Sequence, residues 1–170
     1  GTVYLKNTGE ALGRLLVDNT ARGTNTEPTE LWAPIDAPLT VRNAKVALLG
    51  DVAFAQPVAM TNFVWSHTGA VAAATLTLAN GTWTQNGTAT VESLALNNVT
   101  WYQNAYAEVT ANYSQSGITW YSNAESSFPF GDDLVVDGST YYAEGTQPWD
   151  TVVVTNGGKI VRAAAPSAAA

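Results

Sequence analysis

The sequence predicts an all-β protein, a single-stranded parallel β-helix (β-solenoid) of about eight coils, each of 18–21 residues. Two observations lead to this prediction. Aromatic residues recur at steps of 18, 18, 19 and 21 residues, at Trp65, Trp83, Trp101, Trp120 and Tyr141. The apolar residues between them alternate at positions i and i+2, which is the spacing of strands and not of helices. A fixed period of this size indicates stacked supersecondary units that share one core.

Each repeat also contains a residue suited to a tight corner. The clearest copies are residues 76–80 and 94–98, which both read Leu-x-Leu-x-Asn. Asn and Gly tolerate a left-handed backbone, and Gly117 and Gly138 take the Asn position in two of the repeats. Asparagines stacked at one corner can exchange amide hydrogen bonds along the rod. We therefore predict a structural ladder formed by Asn19, Asn43, Asn62, Asn80, Asn98 and Asn156.

Composition and period favour this solenoid over other repeat proteins. Leucine-rich repeats have a similar length, but the chain lacks both their longer Leu/Asn consensus and a helical side. Thr, Val, Asn and Gly are plentiful, as expected for strands and turns. The sequence has no cysteine, so neither disulfides nor thiolate metal sites are available. Strands stacked about 4.8 Å apart would give a rod about 40 Å long.

The rod is predicted to span residues 1–162, with residues 1–21 as its first coil. Residues 22–38 break the register and contain three prolines. They are expected to form a Pro-rich lateral insertion, which is where functional loops of solenoids tend to lie. The alternative is a structural loop anchored by Trp32. Residues 163–170 are Ala-rich and form either a tail or a linker between subunits.

The charge distribution disfavours two classes of partner. All seven basic residues lie outside residues 46–158, which contain nine acidic residues, and the net charge is −7. Nucleic-acid binding needs clusters of Lys and Arg that neutralise phosphates, and the same clusters attract anionic membrane surfaces. No stretch is long and apolar enough to insert into a membrane. We therefore expect neither nucleic-acid binding nor membrane insertion.

Catalysis has to be considered, because parallel β-helices include polysaccharide lyases and hydrolases. Lyases of acidic sugars need a basic residue near the substrate, and the central coils have no Lys or Arg. Asp132, Asp133 and Asp137 could act as a carboxylate pair or bind Ca²⁺, although adjacent Asp residues in a turn are more often simply solvated. His67 is the only histidine, which excludes His-based triads, and its position in a turn predicts a surface residue. We predict that the chain is not an enzyme.

A second aromatic column follows the first by one residue. Tyr102, Tyr121 and Tyr142 each come directly after an aromatic residue of the first column. Because side chains alternate along a strand, one column must face outward and the other inward. An exposed stripe of tyrosines could bind neutral sugars or a partner surface. The alternative is that the stripe only covers a corner of the rod.

Four Asn-x-Ser/Thr sequons occur, at Asn80, Asn86, Asn98 and Asn112. Asn80 and Asn98 belong to the predicted corner ladder, where a glycan would destroy the corner. Asn86 and Asn112 are therefore the candidate glycosylation sites, provided that the chain is secreted by a cell that glycosylates its exported proteins.

One segment of the chain resembles a known family. In the run 76–100, the notable features are Gly81-Thr82-Trp83, the small residues before Val91, and the Ser-Leu-x-Leu-x-Asn sequence that ends at Asn98. The run is similar to the repeats of autotransporter passenger domains, the pertactin- and AIDA-like adhesins of Gram-negative bacteria. The resemblance implies a right-handed coil, secretion, and adhesion or a structural part at the cell surface.

The expected function is that of a non-enzymatic extracellular or cell-surface rod. The ends of a β-helix carry unpaired backbone groups that invite another strand. Either the chain is a piece of a longer rod, or copies of it stack end to end. We therefore expect an adhesin or a self-assembling subunit of a head-to-tail filament, with other copies of the chain and host or cell-surface glycans as partners. The alternatives are a carbohydrate-active β-helix that uses the three Asp residues and a sugar-binding module that uses the three Tyr residues.

Overall fold

The computed structural model describes residues 2–5, 11, 13–20, 27–31, 35–124, 126–127, 133–143 and 149–162. These residues form strands and turns, and no helix among them is long and apolar enough to cross a membrane. Fifteen strands are defined in this part of the chain, with the following bounds: β1 Thr2–Leu5, β2 Arg14–Asp18, β3 Thr29–Leu31, β4 Leu39–Leu48, β5 Val52–Phe54, β6 Val58–His67, β7 Val71–Gln85, β8 Ala89–Gln103, β9 Ala107–Ser116, β10 Thr119–Ser122, β11 Ser126–Ser127, β12 Asp133–Asp137, β13 Thr140–Ala143, β14 Thr151–Thr155 and β15 Lys159–Arg162.

The strands stack as a β-solenoid of about six turns, which confirms the predicted fold class. The stack has three faces, and the long strands bend at corners and contribute to more than one of them. The tryptophan face consists, in order, of β3, β4, β6, β7, β8, β10, β13 and β15, all parallel. The handedness of the coil and the count of eight coils stay predictions.

Two further faces complete the coil. The leucine face starts with β2 and continues in parallel through β4, β6, β7, β8 and β9. Beyond it, β12 and β14 pair with each other in parallel. The short face contains Ile35, β5, β7, β8, β9 and β11. Inward side chains of the three faces enclose one hydrophobic core that runs the length of the stack.

The beginning of the chain differs from the prediction. Residues 1–21 do not form a parallel coil, because β1 runs antiparallel to β2 and lies at the edge of the leucine face. A parallel neighbour requires a connection of a dozen or more residues, whereas an antiparallel one needs only a short hairpin. Eight residues separate Leu5 from Arg14, so the chain is long enough for a hairpin and too short for a coil.

The corner between the leucine and tryptophan faces is turned by residues with a left-handed backbone. The angle φ lies between 49° and 54° at Asn43, Asn62, Asn80, Asn98 and Asn156, and it is 61° at Gly117 and 55° at Gly138. Amide hydrogen bonds join Asn62 to Asn43 (3.1 Å) and Asn98 to Asn80 (2.9 Å). The remaining predicted member, Asn19, is not among the residues with positive φ, and its backbone N–H donates to the Arg42 carbonyl.

The core contains a continuous stack of indole rings. Trp65, Trp83, Trp101 and Trp120 are fully buried, and neighbouring ring centroids lie 5.1, 4.8 and 4.8 Å apart. These distances match the spacing of adjacent strands, so each ring lies directly over the next. The tryptophan column therefore faces inward, and alternation places the following residue of each strand on the outside.

A small residue accommodates a large one just after the asparagine corner. The inward position there is occupied by Phe63 in one coil and by Gly81 in the next. A Cβ atom added to Gly81 would lie 2.4 Å from the Phe63 carbonyl oxygen and 2.5 Å from its nearest ring carbon. The Phe63 ring thus fills the space that a side chain at Gly81 would need, as close packing of the interior requires.

Part of the predicted lateral insertion (residues 22–38) belongs to the stack. The strand β3 pairs in parallel with β4, and Ile35 forms a bridge with Phe54. Trp32 and the Ala-rich tail at 163–170 lie outside the described residues.

Candidate functional site

Three tyrosines form an outward-facing ridge on the tryptophan face. Tyr102 lies directly opposite Tyr121, which lies opposite Tyr142. Their ring centroids are 4.8 and 4.5 Å apart, and the ring planes differ by 4° and 16°. All three side chains are half-buried, because each ring covers part of its neighbour. We call this set the tyrosine ridge.

The ridge presents ring edges and hydroxyl groups to solvent. Both faces of the Tyr121 ring are covered, one by Tyr102 and the other by Tyr142. Burial, together with the neighbouring phenols of Tyr142 and Tyr102, raises the pKa of Tyr121 above its ordinary value. The Tyr121 hydroxyl therefore stays neutral at physiological pH, and a tyrosine hydroxyl can both donate and accept hydrogen bonds. The ridge is suited to neutral hydroxyl-bearing ligands, with ring stacking available only at its two ends.

A column of threonines runs beside the tyrosine ridge. Thr100, Thr119 and Thr140 lie opposite one another and two residues before each ridge tyrosine, so alternation directs them to the same side. The two columns together form a strip of hydroxyl groups along the rod axis. These threonines were not predicted from the sequence. The signal was present, because each one stands two residues before a ridge tyrosine in the chain.

A column of polar side chains lies inside the core, two residues after each tryptophan. Its members are fully buried: His67, Gln85, Gln103 and Ser122. Gln85 Oε1 accepts a hydrogen bond from Trp101 Nε1 (3.1 Å), and Gln85 Nε2 donates to the Tyr106 carbonyl (3.0 Å). The Gln side chain therefore joins its own coil to both the indole and the turn of the next coil. Buried polar groups cost little free energy when they are paired in this way.

Gln103 repeats this arrangement one coil later. Its Oε1 accepts from Trp120 Nε1 (3.0 Å), and its Nε2 donates to the Ala124 carbonyl (3.1 Å). Ser122 continues the column, because its hydroxyl can donate its one proton either to Gln103 Oε1 (3.3 Å) or to the Ala124 carbonyl (3.2 Å). This column was not predicted either, although alternation from the tryptophans places it on the inward side.

The prediction of a surface His67 is wrong, since only 1% of the residue is exposed. Its Nδ1 lies 2.9 Å from the Gly69 carbonyl oxygen, which can only accept, so Nδ1 carries the proton. Nε2 is then an acceptor, and it has no hydrogen-bond partner within the described residues. The donors Trp65 Nε1 and Trp83 Nε1 also lack a partner there. Burial lowers the pKa of His67, and the Gly69 hydrogen bond partly opposes this effect. A neutral, enclosed imidazole cannot reach a substrate.

The three candidate acidic residues are only partly described. Asp132 and the side chain of Asp133 lie outside the described residues, although the backbone of Asp133 begins β12. Asp137 accepts a hydrogen bond from Asn156 Nδ2 at 2.6 Å, at the same corner as the asparagine ladder. In the described part of the chain no group of three or more His, Cys, Asp or Glu side chains could hold a metal ion. The Ca²⁺ site stays a prediction.

The two candidate glycosylation sites are both exposed and both hydrogen-bonded. Asn86 Oδ1 accepts from Asn104 Nδ2 (2.8 Å), and Asn104 Oδ1 accepts from Asn123 Nδ2 (2.7 Å), which makes a second asparagine ladder at the turn after the tryptophan face. Asn112 Nδ2 donates to Ser93 Oγ (3.1 Å). The second ladder was not predicted, although its three asparagines all stand three residues after a tryptophan. Glycosylation stays a prediction.

The coil formed by β14 and β15 leaves inward positions exposed. Val152 and Val154 lie opposite buried residues of β12, yet they are 44% and 48% exposed. Ile160 lies opposite the buried Tyr141 and is 44% exposed. These three residues occupy the positions that the next coil covers elsewhere in the stack. We call them the open end.

Comparisons with known proteins give no further guide to the site. The chain matches no model of a protein family, no curated protein and no solved structure. A role must therefore be argued from the tyrosine ridge, the inner polar column and the open end.

Proposed function

We propose that the chain is a non-enzymatic structural rod, outside the cell or at its surface, whose copies join end to end. The observation that carries this proposal is the open end. Val152, Val154 and Ile160 are among the most exposed large apolar residues of the described chain, although they occupy core positions of the coil. Such a surface is suited to a partner that continues the stack, and a second copy of the same solenoid has the right geometry.

The energetic gain from covering the open end is moderate. Complete burial of a Val or Ile side chain contributes about 1.5–3 kcal/mol, so covering three half-exposed ones contributes roughly 3 kcal/mol. Among the described strands, β14 and β15 have no neighbour on their outer side, and pairing there adds backbone hydrogen bonds to this gain. Contacts of this strength suit reversible association that depends on concentration, because joining two molecules also costs translational and rotational freedom.

Other observations support a structural role over a catalytic one. The only histidine is enclosed in the core, and Asp137 is hydrogen-bonded within the corner ladder. The resemblance of residues 76–100 to autotransporter passenger repeats supports a place at the cell surface. The carbohydrate-active alternative predicts that the purified chain cleaves a glycan and that Asp133→Ala abolishes the cleavage.

A matched pair of substitutions in β14 tests the joint. Val154 faces the open end, whereas its neighbour Val153 faces sideways, opposite Val135, and is equally exposed at 47%. Val154→Asp should reduce self-association in sedimentation velocity and shorten fibres in negative-stain micrographs, and Val153→Asp should leave both unchanged. Circular dichroism melts check that both variants are folded. A wild-type chain that stays monomeric at high concentration, or equal association of the two variants, would contradict the proposal.

Adhesion through sugars is the second candidate, because the tyrosine ridge and the adjacent threonines form a strip of hydroxyl groups. Replacing Tyr102, Tyr121 and Tyr142 together by Ala should remove binding on a glycan array. Tyr106 is 41% exposed and lies outside the ridge, so Tyr106→Ala is the control. Equal binding by the triple variant and the wild-type chain would rule out the ridge as the binding surface.

A further inference from the structure

The two ends of the stack differ on the leucine face. At the far end β14 is exposed, and its Val152 and Val154 belong to the open end. At the near end β2 is covered by β1 through four antiparallel residue pairs. The other strand pairs described on this face are all parallel. Among the described strands, β1 is therefore the one that breaks the parallel order.

The tryptophan face, in contrast, has matching ends. It begins with β3 and ends with β15, and all its strands run in the same direction. A second copy displaced along the rod axis can place its β3 beside β15, with the same parallel pairing as any two neighbouring strands. When the register is followed along the face, Ile160 of one copy lies opposite Thr29 of the second copy, and Val161 lies opposite Glu30 of the second copy.

The charges at these two edges are complementary. Lys159 and Arg162 are exposed on β15, while Glu27 and Glu30 are exposed just before and on β3. In the register above, Lys159 lies diagonally across from Glu30, a separation that long side chains can bridge. Lys45 occupies the diagonal position on the other side of Glu30, so the carboxylate would lie between two ammonium groups. Complementary edges on one face favour a second copy of this chain as the partner.

The strand β1 obstructs this contact on the leucine face. Because β2 and β3 pair with the two halves of β4, they belong to the same coil. When β3 of the second copy lies beside β15, its β2 must lie beside β14. The strand β14 would then take the place that β1 occupies against β2. Val152 and Val154 stand four and two residues before Asn156, as Leu15 and Val17 stand before Asn19. The strand β14 would therefore continue the columns of β2 in register.

We infer that β1 is a displaceable edge strand, and that β14 of one copy replaces it against β2 of the next copy. The exchange removes four antiparallel pairs, and it gains the β14–β2 pairing, the three residues of β3 beside β15, and a cover for the open end. A contact of this kind is heterologous and does not close, so its repetition gives a filament. The inference rests on the proposed end-to-end role and adds to it a strand that controls joining.

A reversible covalent lock tests the exchange in the full-length chain. Val3 and Leu16 lie directly opposite each other in the antiparallel pair, where the distance between Cα atoms suits a disulfide, and the chain contains no other cysteine. In the variant Val3→Cys/Leu16→Cys, oxidation ties β1 to β2 and reduction releases it. A non-reducing gel shows whether the disulfide forms within one chain, and melts show that both forms are folded.

Sedimentation velocity should show that oxidation weakens self-association by about tenfold or more and that reduction restores it. Equal association of the oxidised and reduced forms would overturn the displaceable strand while leaving the end-to-end rod intact. Absence of association in both forms and in the wild-type chain would overturn the rod itself, and the exchange with it.

A charge exchange identifies the partner as a second copy. Lys159→Glu and Glu30→Lys should each weaken self-association about three- to tenfold, and an equal mixture of the two variants should recover it, because every joint then pairs opposite charges. The control for Glu30→Lys is Glu92→Lys, which makes the same change of net charge at an exposed site on the side of the stack. Failure of the mixture to recover association would overturn the β15–β3 register.

Discussion

Replacing His67 by Gln should stabilise the rod, because Gln is the residue that the structure uses at this position in the next two coils. Gln85 and Gln103 each accept a hydrogen bond from the tryptophan of the following coil, at 3.1 and 3.0 Å. His67 leaves the corresponding Trp83 Nε1 without a partner among the described residues. The Oε1 atom of a glutamine at position 67 would lie where it can accept that hydrogen bond.

The size of the effect follows from the groups that gain partners. An unsatisfied buried polar group costs about 1–3 kcal/mol, and a new buried hydrogen bond contributes about 1 kcal/mol. We expect His67→Gln to raise the free energy of unfolding by about 1–2 kcal/mol at neutral pH. In a chain of this length, that corresponds to an increase in Tm of about 2–8 °C.

The stability difference should also depend on pH. Burial holds the folded-state pKa of His67 below the ordinary value of 6.5. As the pH falls below 6.5, the unfolded chain binds a proton at this residue that the folded chain does not bind, so acid favours unfolding. The loss is at most about 1.4 kcal/mol per pH unit, and it ends where the folded pKa is reached. No such loss is expected from this residue above pH 6.5.

Thermal and urea unfolding at pH 7.5 and 5.5 measure both effects, with His67→Leu as the second variant. Leu removes the titration without supplying an acceptor, and a leucine, Leu48, already stands opposite position 67 in the preceding coil. The advantage of the Gln variant over the wild type should widen at pH 5.5, whereas its advantage over the Leu variant should not. A difference between Gln variant and wild type that is the same at both pH values would refute the reasoning about a buried neutral imidazole.

Two other substitutions test the packing and the corner. Gly81→Ala should destabilise the rod by about 1–3 kcal/mol, because the Cβ atom of the alanine would meet the Phe63 backbone and ring. A Tm equal to that of the wild type would show that the coil relaxes around the added methyl group. Asn98→Ala should cost about 1–2 kcal/mol, since Ala disfavours φ near 52° and loses the hydrogen bond to Asn80. Asn97→Ala, next to it and exposed, is the control in the same urea titrations, and equal losses would contradict a special role for the corner.

The sequence predicted the stack well because its signals are local and repeated. A left-handed corner needs Asn or Gly, and five of the six predicted asparagines have positive φ. Alternation showed that the Trp and Tyr columns must face opposite sides, and burial in the structure shows which one is inside. Asn19 is the exception, in the coil next to the hairpin, where the strand order changes from antiparallel to parallel.

The prediction for His67 was wrong because a local turn rule was applied without the alternation rule. His67 was judged from its turn, although its distance of two residues from Trp65 places it on the inward side with Gln85 and Gln103. The direction of β1 is a different case. Whether residues 2–5 pair in parallel or antiparallel depends on the length of the connection and on competition for the edge of β2, and neither appears in the repeat pattern.

The inner glutamines have a consequence for how such a rod can change its length. Gln85 and Gln103 each join their own coil to the tryptophan and the turn of the coil that follows. A segment of one period between them could be copied in tandem, and both junctions would recreate contacts that already exist. Each duplication would extend the molecule by roughly 4.8 Å with no change to its cross-section. Growth of the gene by whole repeats is therefore structurally neutral in this region, whereas insertion of a partial repeat there would separate the Trp101 indole from its acceptor on Gln85.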